Sequence, residues 1–215
     1  MLMNQILYIS LAYLLAYLIG GFPTSAIAGK LKGIDITKHG SGNAGATNAL
    51  RVLGTKIGVT VMLVDALKGV AVIALGSWII TQFARESNQI YDITLGITGI
   101  IGHVFSIFLK FKGGKGVATA AGVYAYLSPV TMLIALAAFV LTVALSKYVS
   151  LGSIVAATVL VISQLVMNIM TDFAGLPTLI MTVLLALFII IKHKQNIKRL
   201  MAGNENKISF KKINK

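Results

Sequence analysis

Two segments of this chain collect groups suited to holding phosphate. The first, GSGNAGATNALR, runs from Gly40 to Arg51. It combines Gly40, Gly42 and Gly45 with the hydroxyls of Ser41 and Thr47, the carboxamides of Asn43 and Asn48, and the guanidinium of Arg51. The second, GHVFSIFLKFKGGKGVAT, runs from Gly102 to Thr119 and contains Gly113-Gly114-Lys115-Gly116. Glycines let backbone N–H groups approach a ligand closely, and successive N–H groups in such turns form an anion-binding nest. Lysine and arginine add charge-assisted hydrogen bonds to phosphate. Gly-Gly-Lys-Gly leading into a helix has the parts of a phosphate site at a helix N-terminus. It is not a Walker A loop, because Leu109 and Gly116 stand where that pattern needs glycine and Ser/Thr. ATP and GTP are therefore not indicated. Alone, Gly113–Gly116 also reads as a flexible turn with a snorkelling lysine. Two such segments on one side of a small protein weaken that simpler explanation.

Further polar residues point to the same side. Asp65 and Lys68 lie three positions apart within an apolar run and share a helix face. Ionisable groups inside a membrane span are costly and usually face the bundle interior. A mutual ion pair and a ligand role are both open for them. His103 ends another apolar run, where packing competes with a role as general base. His193 and Asn196 close the last apolar run, and Ser150 and Ser153 open the one before it. Serine there is also ordinary helix-cap chemistry.

The elements that must position these groups are membrane helices. Of 215 residues, 57% are hydrophobic and only 12% charged, with a mean hydropathy of +0.88. Soluble domains carry about twice that charged fraction. Apolar runs recur at Ile6–Ala28, Ile57–Phe83, Ile90–Leu109, Gly116–Leu127, Val130–Ser146, Val149–Met170 and Leu176–Ile191. Ser128-Pro129 divides what is too long for one straight span, since the residue before proline leaves helical geometry. With seven spans, all of the 19 cations except Lys68 and Arg85 fall on one side or in the C-terminal tail beside it. The positive-inside rule then makes that side cytoplasmic. The expectation is an all-α polytopic membrane protein of about seven transmembrane helices, N-terminus outside and C-terminus cytoplasmic. Residues 1–200 form a single membrane domain and 201–215 a basic tail. No cation precedes Ile6, so the first run reads as a retained helix rather than a signal peptide. The net charge of +13 suits anionic lipid and needs no nucleic acid. Cysteine is absent, which removes disulfides and thiolate chemistry.

The chain resembles the PlsY-type acyl-phosphate:glycerol-3-phosphate acyltransferases of bacterial phospholipid synthesis. Their three motifs are matched by Gly40–Arg51, by Gly102–Thr119 and by HKQNIKRLMAGNE from His193 to Glu205. The family's Asp-x-x-Lys-Gly element resembles Asp65–Gly69, and its SLGS resembles Ser150–Ser153. One departure is Ser106, where the family usually has proline.

The resemblance implies transfer of a fatty acyl group from acyl phosphate to the 1-hydroxyl of glycerol 3-phosphate, at the cytoplasmic face of the inner membrane. The products are lysophosphatidic acid and phosphate. By resemblance, Ser41, Gly42, Asn43 and nearby backbone N–H groups hold the donor phosphate. Arg51, Lys115, Ser153, His193 and Asn196 hold glycerol 3-phosphate, with Arg51 and Lys115 also offsetting developing charge. Gly40, Gly45, Thr47, Asn48, Lys68, Gly113, Gly114, Gly116 and Thr119 complete the implied substrate-binding set. Ser41, Arg51, Lys115 and His103 form the implied catalytic set. The base is either His103 or a phosphate oxygen of the donor. No cofactor or metal is expected, since only Asp35 and Glu205 are acidic on the inner side outside the spans. The implied partners are both substrates, membrane lipid and the soluble enzyme that makes acyl phosphate. A transporter of organic phosphate and a lipid-binding scaffold are the readings from other classes. A transporter is disfavoured because its site would lie near the bilayer midplane.

Overall fold

A computed structural model of the chain describes residues 2–208. Every regular element among them is helical. They divide into two compact units between Tyr126 and Leu127, beside the Ser128-Pro129 interruption.

The first unit opens with α1 (Leu2–Gly21) and α2 (Thr24–Lys30). The expected single span Ile6–Ala28 is thus two helices. The break falls at Phe22-Pro23, because proline lacks the N–H and crowds the preceding turn. A 3-10 turn at Ile36–Lys38 and the short α3 (Ala46–Leu53) follow. Then come α4 (Thr55–Ile79), which ends in a π turn at Ile80–Ala84, and α5 (Gln89–Val104). A 3-10 turn at Ile107–Leu109 precedes α6 (Val117–Leu127).

Small residues let these helices meet backbone to backbone, as membrane helix packing requires. On α1, Ala12, Ala16 and Gly20 form one stripe, all buried. A Cβ on Gly20 would overlap the Gly99 backbone of α5, and one on Gly102 would overlap the Tyr17 carbonyl of α1. Gly69 of α4 abuts the Thr119 carbonyl of α6, and Gly122 of α6 abuts the Ala66 carbonyl of α4. Val72, Ile80 and Leu95 fill the remaining interior of this unit.

The second unit contains α7 (Pro129–Ser146), α8 (Val149–Met170), α9 (Leu176–Lys192) and α10 (Lys194–Met201). Pro129 occupies the first turn of α7, where its missing N–H costs nothing. The last apolar run bends by 59° between α9 and α10.

Among the described residues, five helices are long and apolar enough to cross a bilayer, and the bent α9–α10 pair makes up to six. The expected Gly116–Leu127 span appears as the 11-residue α6, about 16 Å long and roughly half the hydrocarbon thickness. Leu63, Leu67, Leu133, Leu141 and Ile162 are exposed, as suits helices solvated by lipid.

Candidate active site

The Gly40–Arg51 segment is a loop over Gly40–Gly45, moulded around one carboxamide, that runs into α3. Asn48 sits on α3 and is only 1% exposed. Its Oδ1 accepts the Ser41 N–H at 2.8 Å, and its Nδ2 donates to the Ile36 and His39 carbonyls at 3.0 Å each. Asn48, expected to bind substrate, holds the backbone of the loop. Gly40 and Gly42 take positive φ of 61° and 71°, a region glycine enters freely. A Cβ on Gly40 would overlap the Asn48 side chain. This arrangement leaves Ser41 exposed and Asn43 and Thr47 half-buried. Arg51 is half-buried in the last turn of α3. Upstream, the Asp35 carboxylate accepts from the Thr37 hydroxyl at 2.6 Å and its N–H at 3.1 Å. Those bonds hold the Asp35 carboxyl below the usual carboxylate range.

The second segment folds back onto the end of α5. Gly113 donates its N–H to the Val104 carbonyl at 3.0 Å, and Gly114 donates to the His103 carbonyl at 3.2 Å. A Cβ on Gly114 would overlap His103 Nε2 and stand 3.0 Å from the Ala44 carbonyl. Gly114 is therefore where the two glycine-rich segments touch. Gly116 has a φ of +83°, and α6 begins immediately after it, as the sequence suggests. Lys115 is half-buried at that helix start. Thr119 is fully buried one turn into α6.

Next to this junction lies a small polar pocket lined in part by Ala44, Asp65, Lys68 and His103. Lys68 Nζ pairs with Asp65 Oδ1 at 2.8 Å and donates to the Phe22 carbonyl at 3.0 Å. Thr24 donates its hydroxyl to Asp65 Oδ1 at 3.0 Å. His103 Nδ1 stands 3.9 Å from the same oxygen, and the residue is 8% exposed.

In the second unit, Ser153, His193 and Asn196 are all buried. Ser153 donates to the Val149 carbonyl at 2.9 Å. His193 Nδ1 lies 2.8 Å from the Ile189 carbonyl, which places a proton on Nδ1 because a carbonyl only accepts. Asn196 Nδ2 donates to Glu205 Oε1 at 3.0 Å, and Arg199 Nε donates to Glu205 Oε2 at 2.7 Å. Burial works against ionisation of Glu205, but the bonds from Arg199 and Asn196 outweigh it and hold its carboxyl below the usual carboxylate range. Ser150 is buried beside that carboxylate rather than capping α8, whose N-cap is Tyr148. The chain then returns to the α7–α8 turn. Ile208 N–H donates to the Lys147 carbonyl at 2.8 Å, and Lys207 Nζ lies 5.5 Å above the Tyr148 ring.

Glu205 and Arg199 are the organising residues that motif spacing alone did not mark. The available signal was one carboxylate among the basic residues of the tail. Residues 209–215 of the expected basic tail lie outside the described residues.

A sequence model of the family described as glycerol-3-phosphate acyltransferase matches residues 10–203. The glycerol-3-phosphate acyltransferase of Fusobacterium nucleatum subsp. nucleatum is 44% identical, over 91% of this chain and 96% of that protein. That of Trichlorobacter lovleyi is 47% identical, over 89% and 93%. The crystal structure of PlsY, an integral membrane glycerol 3-phosphate acyltransferase, in its glycerol 3-phosphate form superposes with a TM-score of 0.80. It shares 33% identity, over 94% of this chain and 96% of that one. The lysophosphatidic acid form of PlsY gives 0.78. With these motifs on an all-helical membrane scaffold, the chain belongs to the glycerol-3-phosphate acyltransferase family, the integral membrane acyltransferases of phospholipid synthesis.

Proposed function

We propose that the acyl donor is a fatty acyl phosphate and that the acceptor atom is the 1-hydroxyl of glycerol 3-phosphate. The observation that carries this reading is the junction at Gly114, where Ala44, from the segment that bears Ser41 and Arg51, meets the segment that bears Lys115. Such groups suit bare phosphates, and neither segment has the pattern of a nucleotide-binding loop.

In this reading the acceptor oxygen attacks the acyl carbonyl carbon. The bond from that carbon to the phosphate oxygen breaks, and phosphate leaves with the electron pair. A mixed anhydride is already activated, so no covalent enzyme intermediate is needed. Positioning contributes up to roughly 7–11 kcal/mol in ideal cases. Ser41, Gly42 and Asn43 hold the donor phosphate. Arg51, Lys115, Ser153, His193 and Asn196 hold glycerol 3-phosphate, and the two cations offset charge as it develops. The hydroxyl proton passes to a phosphate oxygen of the donor. His103 is the less suitable base because its ring is buried behind Gly114. The site opens at the cytoplasmic face of the inner membrane, and lysophosphatidic acid leaves into the lipid.

The test is purified protein in lipid with radiolabelled glycerol 3-phosphate and either acyl phosphate or acyl-CoA. Labelled lysophosphatidic acid with acyl phosphate alone is the expected result. Comparable turnover with acyl-CoA and none with acyl phosphate overturns the donor assignment.

A further inference from the structure

We infer that Asp65 and Lys68 are positioning residues. With Ser106 they brace the break in the first membrane helix against the His103–Gly114 contact, and so fix where Lys115 stands. The sequence resemblance placed Lys68 among the substrate ligands, and the geometry points elsewhere.

The argument starts at Pro23. A helix end leaves backbone carbonyls without helical partners, and inside a membrane each must be satisfied by protein. At this break two other elements supply the donors. Ser106, in the loop after α5, donates its hydroxyl to the Gly21 carbonyl at 2.5 Å. Lys68, on α4, donates to the Phe22 carbonyl at 3.0 Å. Thr24, the first residue after the break, donates to Asp65. The Asp65–Lys68 pair is thus tied to both sides of Pro23. Both side chains are more than nine-tenths buried and engage protein groups.

The other side of the same pair faces the glycine-rich loop. His103 Nδ1 stands 3.9 Å from Asp65 Oδ1, and His103 Nε2 lies against Gly114. Ser106 belongs to that loop too, since its carbonyl accepts the Phe111 N–H at 2.8 Å. Displacing Asp65 or Lys68 therefore moves the loop that carries Lys115, without removing any group from the substrate phosphates.

A double-substitution cycle in lipid tests this. The variants are Asp65→Asn, Lys68→Met, the Asp65→Asn/Lys68→Met double and Ser106→Ala. Each single charge removal strands its partner in a dry interior, and kcat falls about 100-fold with a lowered melting midpoint. The double leaves no lone charge and regains at least about tenfold in kcat over the worse single, with partial recovery of melting. Ser106→Ala strands no charge and lowers kcat by about tenfold in folded protein. KM for the donor stays within about threefold, and any rise in KM for glycerol 3-phosphate, which Lys115 holds, is the same in Asp65→Asn as in Lys68→Met.

A KM raised about tenfold or more in both Lys68→Met and the double, but not in Asp65→Asn, makes Lys68 a substrate ligand and overturns the inference. Multiplicative losses in the double, or wild-type kcat and melting in both singles, overturn it as well. The kinetic arm rests on the acyltransferase reading, whereas the melting arm needs no substrate. Wild-type protein that is inactive with glycerol 3-phosphate therefore fails that reading alone. If neither single folds, recovery of melting in the double and the response of Ser106→Ala decide.

Discussion

Asn196 donates to one oxygen of Glu205 while Arg199 donates to the other. A single buried carboxylate therefore fixes the face of α10 that carries Asn196. Burial opposes the charge on Glu205, yet these bonds keep its carboxyl below the usual carboxylate range. A carboxyl that ionises more readily when folded adds stability above its unfolded value and loses it as pH falls toward the folded value. Melting temperature is therefore expected to drop as pH falls from about 5 downward. Glu205→Gln should be less stable at neutral pH and show a flatter acid limb. Parallel acid limbs for wild type and variant, measured by melting in detergent, would refute this assignment.

Arg51 and Lys115 are expected to fail differently. A planar guanidinium grips phosphate through two bonds, which an ammonium cannot reproduce. Arg51→Lys should then be nearly as damaging as Arg51→Ala, whereas Lys115→Arg keeps some function. A lost charge-assisted bond is worth about 1.5–3 kcal/mol, so each alanine variant should lose at least tenfold in kcat/KM. Lys211→Ala and Lys212→Ala serve as controls with little loss. Near-normal activity of both Arg51→Ala and Lys115→Ala, in folded protein, would mean that the segments are only turns.

Gly114→Ala adds a Cβ that overlaps His103 Nε2 and crowds the Ala44 carbonyl. The His103 ring must shift to admit it, and the Ala44 carbonyl must give slightly. The expected loss is tenfold or more in kcat, about 1.4 kcal/mol, with a modest change in melting. Steady-state kinetics and a melt on the same sample check it, and unchanged kcat would show that this contact does not matter.

The proposed topology places Met1 outside and Lys215 in the cytoplasm. A tag at each end, probed by membrane-impermeant labelling of intact cells and spheroplasts, should give opposite accessibility. Both ends on the same side would rule out seven crossings.

Activity is expected to survive excess chelator. Among the described residues, no three His, Asp or Glu side chains gather where they could share a metal ion. A rate that collapses with chelator and returns with one divalent ion would refute the expectation.

Much of this was legible because lipid makes the sequence pattern strict. A polar, glycine-rich stretch such as Gly40–Arg51 stands out in a chain that is otherwise apolar, and both such stretches do meet, at Gly114. Hydropathy also gives the helices, but it carries no information on continuity. Pro23 lies inside an apolar run and still breaks the first span. Residue type likewise does not say which way a group faces. Asn48 and Lys68 have phosphate-binding chemistry, yet one secures a loop and the other a helix break. Glu205, though it ends the third motif, was given no role because a carboxylate in a basic tail looks like solvated surface until its donors are seen.

The glycine contacts among α1, α4, α5 and α6 also set how this unit can move. Where Gly20 meets Gly99 and Gly122 meets Ala66, one main chain rests on another. There is no side chain between them to change rotamer and absorb a slide, and tightly packed interiors do not deform gradually. These four helices act as a chassis with no suspension. Motion during a catalytic cycle is left to the stretches that connect these helices, residues 31–45 and 105–116. Hydrogen exchange in bilayers should find those two stretches opening together, ahead of any helix in the unit.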